Sequence, residues 1–271
     1  MKSVALYLPN LTGGGAERTL LRLAAGFRAS GWTPRFVVDQ ARGELVSAVQ
    51  ADRIALDSLE ASRTMQALPR LARWLRAQRP DALLSAITHN NLIAVWARAW
   101  ARVSTRIVLS EHTLLSRQAM THDRWQYRIL PRLCALTYPH AAALIAVSEG
   151  VADDLAVYTH LDRRLITVIP NPVVTPDFPV RAAAPCPHPW LNDPATPVII
   201  AAGRLEPIKD FSMLLRAFAH LRQQRPVRLL ILGEGPQRGE LLALREQLGL
   251  TGEVDLPGFQ HDPLPFFARS A

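Results

Sequence analysis

Short aliphatic and β-branched runs alternate with longer amphipathic stretches, and this alternation limits the fold more than any other feature. The runs are Val4–Leu8, Arg35–Val38, Ile54–Leu56, Ala82–Ala86, Arg106–Ser110, Ala143–Val147 and Ile166–Ile169. Helical patterns lie between them at Ala16–Ala29, Thr64–Gln78, Asn91–Ala101, Arg117–Leu136 and Glu149–Tyr158. Strands separated by helices must be joined by crossovers, which gives a parallel sheet covered on both faces. Residues 170–197 then break the pattern with nine prolines, from Pro170 to Pro197. Residues without an N–H donor sustain neither ladder nor helix, so 171–196 is expected to be a linker. The alternation resumes with strands Val198–Ala202, Val227–Leu232 and Val254–Leu256 and helices Phe211–Arg222 and Gln237–Leu248, with a short helical start near Leu264–Arg269. The expected class is α/β: two doubly wound parallel-sheet domains, 1–170 and 197–271. The second has about half the strands such a sheet usually needs.

The 49% hydrophobic and 20% charged content is that of a soluble globular protein. Val4–Leu8 stops at Pro9, too short for a signal-peptide core or a membrane span, and Pro139 and His140 interrupt Leu133–Val147. Cys134 and Cys186 have no metal-ligand spacing and are expected to be reduced thiols in a cytoplasmic protein. The formal charge of +8 lies entirely in residues 1–190. Within 61–132, twelve arginines face only Asp81, Glu111 and Asp123. Such a field suits an anionic partner, either a phospholipid surface or a phosphorylated substrate, but solvated helix faces account for it equally well. No nucleic-acid-binding motif accompanies it, and nucleic acid is not expected as a partner.

All but two of the 31 basic residues are arginine; the exceptions are Lys2 and Lys209. Lys209 and Arg204 lie between a strand and a helix, where open α/β sheets place ligand phosphates. An ammonium on a flexible stem does a different job there from a planar guanidinium. The other polar candidates also follow strands. Gly13-Gly14-Gly15 opens the first helix and permits close approach of an anion, or simply makes a tight turn. His89 with Asn90 and Asn91 follows the fourth strand, and Glu111-His112 the fifth. Ser148 is positioned as a helix cap. In the second domain Gly233-Glu234-Gly235 and Gly258-Phe259 end successive strands, with Phe259 able to pack on a flat base. Arg124, Arg128 and Arg132 recur every four residues beside Trp125. This makes a basic amphipathic face suited to a membrane interface or to plain solvent. No metal-ligand cluster is apparent.

In order along the chain, Gly13-Gly14-Gly15-Ala16-Glu17, Ser110-Glu111-His112, Val147-Ser148-Glu149-Gly150, Val168-Ile169-Pro170-Asn171-Pro172, Gly203-Arg204-Leu205 through Lys209-Asp210, Leu232-Gly233-Glu234-Gly235-Pro236 and Leu256-Pro257-Gly258-Phe259 resemble the retaining glycosyltransferases of family 4. The variety is similar to bacterial enzymes that build lipid-linked surface polysaccharides. The resemblance implies a GT-B architecture of two Rossmann-like domains. The N-terminal one would bind the acceptor and the C-terminal one a nucleotide-sugar donor. It implies that Arg204 and Lys209 grip the donor diphosphate without a metal or other cofactor. It also implies that His112 lies near the transferred sugar. Gly14, Gly15, Gly233, Glu234, Gly258 and Phe259 would contribute to donor binding. His89, Arg124, Trp125, Arg128 and Arg132 would face a lipid-linked or glycan acceptor at the inner face of the cytoplasmic membrane. A glutamate pair that the family carries further along the donor domain would fall beyond Ala271, so that pocket is expected to be incomplete. Two other readings remain: a non-catalytic acceptor- or membrane-binding module, and a GT-B-like epimerase or hydrolase of nucleotide sugars.

Overall fold

The computed structural model describes residues 2–117, 125–193 and 195–271, with backbone only for 125–128. These residues form two compact units, Met1–Val173 and Val174–Ala271.

The first unit runs β1 (Ser3–Leu8), α1 (Gly15–Ala29), β2 (Thr33–Val38), α2 (Val46–Ala51), β3 (Ala55–Ser58), α3 (Thr64–Gln78), β4 (Ala82–Ala86), α4 (Thr88–Ala101), β5 (Arg106–Glu111), α5 (Trp125–Thr137), β6 (Ala143–Ala146), α6 (Glu149–Thr159) and β7 (Ile166–Val168). The seven strands are all parallel, in the order β3-β2-β1-β4-β5-β6-β7. Both faces are buried because successive side chains point to opposite sides. In β1, Val4, Leu6 and Leu8 join one core with Phe36 and Val38, while Ala5 and Tyr7 join the other with Val37 and Leu83. Each fully buried large side chain contributes about 1.5–3 kcal/mol. The strand order reverses between β1 and β4, so their carboxyl ends open the crevice where such sheets bind ligands. Val147-Ser148-Glu149 behaves as its sequence suggests: the Ser148 hydroxyl caps α6 by accepting from the Val151 N–H at 3.3 Å. Two details differ from expectation. Helix α2, six residues long, is too short to show a helical period. Helix α4 starts at Thr88, three residues early, because side chains of its first turn are fastened to neighbouring strands.

The second unit runs α7 (Phe178–Ala183), β8 (Val198–Ala202), α8 (Phe211–Gln224), β9 (Arg228–Leu232), α9 (Arg238–Gln247), β10 (Val254–Gly258) and α10 (Leu264–Phe267). Its three strands are parallel in the order β10-β9-β8. Leu229 and Ile231 face a core with Leu205, Phe211, Leu215 and Phe218. Leu230 and Leu232 face a second core completed by Cys186, Leu191 and Phe266. The proline-rich segment, expected as a linker, thus covers one face of this sheet. It also contains α7, which tolerates Pro179 because proline in a first turn sacrifices no helical hydrogen bond. Arg181 of α7 forks onto the Asp262 carboxylate at 2.9 and 3.0 Å. The Trp190 N–H donates to His188 Nδ1 at 3.3 Å, which leaves Nε2 to donate to Asp255 in β10 at 3.1 Å. No described helix is long and apolar enough to cross a membrane.

Candidate functional site

In the first unit, polar side chains gather where β1, β2, β4 and β5 end. The glycine loop leads from β1 into α1, with Gly14 as N-cap and no side-chain cap. A Cβ on Gly14 would lie 2.5 Å from the Glu17 carboxylate, whereas one on Gly15 would meet nothing within 4 Å. Glu17 therefore sits against the positive end of α1, which favours an acid in the first turn. Gly15 leaves open room beside it. Arg18 Nε holds the loop by donating to the Gly13 carbonyl at 3.1 Å.

Two buried carboxylates flank the start of α4. Asp39, just past β2, accepts from the Tyr7 hydroxyl at 2.7 Å and from Asn90 Nδ2 at 3.2 Å. Burial pushes its carboxyl up to about 6 and raises Tyr7 as well. Glu111, the last residue of β5, accepts from Thr88, Asn91 and Tyr138, and burial raises its pKa. Between the two acids, Ile87 holds φ at +78°, a rare conformation for a β-branched residue. Ala86 and Ser110 are register partners in β4 and β5, so His89 and His112 emerge at the same end of the sheet. His112 Nε2 lies 3.0 Å from Ser110 Oγ. Burial lowers its pKa to about 4, so at neutral pH the ring is uncharged and offers one donor and one acceptor. His89 is half-buried.

Further along the same unit, α4 and α5 enclose a groove of about 490 Å³ lined by Val95, Trp96, Ala99, Leu133 and Leu136, with Arg98 at its side. Leu136 is 73% exposed and nearby Trp100 53%. Arg132 is exposed on α5. Arg124 and the side chains of Trp125 and Arg128 lie outside the described residues.

In the second unit, backbone bonds interlock the three strand-end loops. The Leu205 N–H donates to the Glu234 carbonyl, the Gln237 N–H to the Leu205 carbonyl, and the Gly233 N–H to the Gly258 carbonyl, at 2.9–3.0 Å. A Cβ on Gly233 would lie 1.9 Å from the Gly203 oxygen, and one on Gly235 would lie 2.5 Å from the Leu205 oxygen. Loop packing alone therefore requires glycine at both positions. Arg204 is exposed and pairs with Glu206 at 2.7 Å. The Lys209 stem lies against Gly203, where a Cβ would be 3.6 Å from Lys209 Cε. Its ammonium is exposed and forms no ion pair among the described residues. Glu234 pairs with Arg238 at 3.1 Å, and its carboxylate lies 2.9 Å from where a Cβ on Gly258 would sit. Phe259 meets His261 edge-on at 5.2 Å.

The fold thus groups His89 and His112 with the glycine loop at one end of the first sheet, and Arg204, Lys209, Glu234, Gly258 and Phe259 at one end of the second. Asp39, Tyr7 and Tyr138 were not legible as site residues. Their single letters carry no signal until topology brings them against α4.

Comparison with known proteins agrees with the two-unit fold. The family model described as Glycosyltransferase Family 4 matches residues 13–176, and that described as Glycosyl transferases group 1 matches residues 188–271. The chain is 30% identical over 181 residues to N-acetylgalactosamine-N,N'-diacetylbacillosaminyl-diphospho-undecaprenol 4-alpha-N-acetylgalactosaminyltransferase of Campylobacter jejuni subsp. jejuni serotype O:2, covering 66% of this chain and 46% of that one. It is 29% identical over 185 residues to 2-deoxystreptamine glucosyltransferase of Streptomyces kanamyceticus, covering 63% and 48% respectively. The chain therefore spans about half the length of these relatives. Among solved structures, Anabaena HepE in complex with UDP and glucose superimposes with a TM-score of 0.77 at 19% identity, over 100% of this chain and 73% of that one. With two parallel-sheet units of this kind and a family match over more than half its length, the chain belongs to glycosyltransferase family 4.

Proposed function

We propose that this chain carries the acceptor domain and part of the donor domain of a retaining transferase. That enzyme moves a sugar from a nucleotide-sugar donor to a lipid-linked glycan. The observation that carries this reading is the pair Arg204 and Lys209 on the loop after β8, both exposed and presented at the sheet end where α/β domains hold phosphates. Transfer breaks the bond between the sugar's anomeric carbon and a phosphate oxygen, so negative charge collects on the departing nucleotide diphosphate. Two cations preorganised beside it stabilise that charge without a metal. HepE holds UDP and glucose, which makes a uridine nucleotide the first donor to test. On the acceptor side, neutral His112 and the half-buried His89 offer hydrogen bonds to sugar hydroxyls. The apolar groove, with Arg98 in its lining and Arg132 exposed on the helix that carries Leu133 and Leu136, suits a lipid chain leading to an anionic head group. The Campylobacter relative's name specifies a diphospho-undecaprenol acceptor, which supports this assignment.

The test is calorimetric titration of the chain with UDP and UDP-glucose. Arg204→Ala and Lys209→Ala should each weaken binding by about tenfold or more, since a hydrogen bond to a charged group contributes about 1.5–3 kcal/mol. Unchanged affinity in both variants would remove the diphosphate role. With donor bound, product analysis with and without a polyprenyl-diphosphate glycan separates transfer from epimerisation or hydrolysis.

A further inference from the structure

Glu111 ends β5 with its carboxylate fully enclosed. Oε2 accepts from Thr88 Oγ1 at 2.9 Å; Oε1 accepts from Asn91 Nδ2 at 2.9 Å and from the Tyr138 hydroxyl. These donors come from the first turn of α4 and from the 3-10 turn Tyr138–His140 that follows α5. Asn91 Nδ2 also donates to the Ser110 carbonyl at 3.1 Å, while its own Oδ1 is buried with no partner among the described residues. A buried acceptor left bare costs about 1–3 kcal/mol. The Asn91 amide is therefore held in this orientation by Glu111 and Ser110 against its own interest. Immediately before Thr88, Ile87 keeps its positive φ, a conformation that persists only where its surroundings over-determine it. Immediately after Glu111 comes His112, whose ring meets Ser110 Oγ.

Apolar packing would hold these elements at lower cost than a buried carboxylate does. What a carboxylate adds is direction: its two oxygens draw three donors into set positions. We infer that Glu111 is a positioning residue, which fastens the β4–α4 turn and Tyr138 to the end of β5 and so fixes the ring of His112 for substrate. That the ring is set for substrate rests on the transferase reading; the clamp itself does not.

The test needs no turnover. Histidine-selective 15N spectra of the chain are recorded from pH 3.5 to 8, with thermal unfolding measured on the same samples. In the wild type the His112 ring stays neutral down to pH about 4. Glu111→Gln removes one acceptor at nearly constant shape, so a donor is left unmatched and the turn loosens. Water then reaches His112, and its midpoint should rise by at least one pH unit toward the ordinary histidine value of about 6.5. Tyr138→Phe removes a single donor and serves if the first variant does not fold; it should shift the midpoint the same way by a smaller amount. A folded variant with a lowered melting temperature but an unmoved His112 midpoint would overturn the assignment, since that is the signature of a purely structural carboxylate. Titrating UDP into the same wild-type sample keeps the two readings apart. Absence of nucleotide binding would count against the diphosphate role of Arg204 and Lys209 and leave the His112 result standing.

Discussion

Asp39→Asn is the perturbation whose size the structure sets most directly. Asp39 is 6% exposed, and its donors among the described residues are two neutral groups, Tyr7 and Asn90. Burial raises its carboxyl from 3.8 to about 6, outweighing the two hydrogen bonds that act the other way. The folded state therefore binds a proton at Asp39 more tightly than the unfolded chain does. The stability this group contributes is complete below pH about 4 and is lost as pH rises through about 6. A shift of about two units corresponds to about 3 kcal/mol. Asparagine has no proton to lose, so the difference in unfolding free energy, wild type minus variant, should fall by about 3 kcal/mol between pH 3 and pH 8. Other titrating groups cancel in that difference. Urea unfolding of both proteins at half-unit pH intervals measures it, and the Asp39 13Cγ shift gives the midpoint independently. A difference that stays flat across this window, or rises with pH, would refute the account of Asp39 as a carboxylate buried without a cation.

Gly233→Ala should destabilise the second unit by more than about 3 kcal/mol in urea, because the new methyl would meet the Gly203 carbonyl at 1.9 Å and φ is +141°. Gly15→Ala meets nothing within 4 Å and should change stability by less than about 1 kcal/mol in the same assay, so any loss of nucleotide-sugar binding there reports on ligand approach. Flotation with anionic vesicles should recover the chain at low salt, less at 0.5 M salt, and less again for Arg98→Glu combined with Arg132→Glu. Equal recovery under all three conditions would exclude the α4–α5 face as the membrane contact.

The architecture was legible because a parallel sheet buried on both faces writes itself as short apolar runs separated by helical periods, as Val4–Leu8 in β1 and Leu229–Leu232 in β9 do. Polar residues at strand ends, such as His112 and Lys209, were legible because topology collects such residues whatever the sequence between them. The buried partners were not. Asp39 drew no notice, and Glu111, singled out beside His112 at the end of its strand, gave no sign of its burial, since an acid reveals its burial only when its donors are known, and Tyr7 and Tyr138 arrive from other elements. The proline-rich stretch misled for a related reason. Its prolines do exclude a ladder, but Cys186 and Leu191 need no backbone hydrogen bonds to cover a sheet face, and Pro179 falls where a helix has no bond to lose.

That wrapping segment also orders events during synthesis. Every strand of the first unit has been made by Val168, so its seven-stranded sheet can close while later residues are still being added. The second unit behaves differently. Arg181 finds its partner Asp262 only 81 residues later, and Cys186 and Leu191 share a core with Phe266. At about 5–20 residues per second, that partner emerges about 4–16 s after Arg181. Until β9 is made at Leu232 this stretch has no paired strands to lie against, and its core stays open until Phe266 follows. The second unit is therefore the part of the molecule most exposed to chaperone capture and to aggregation on the ribosome.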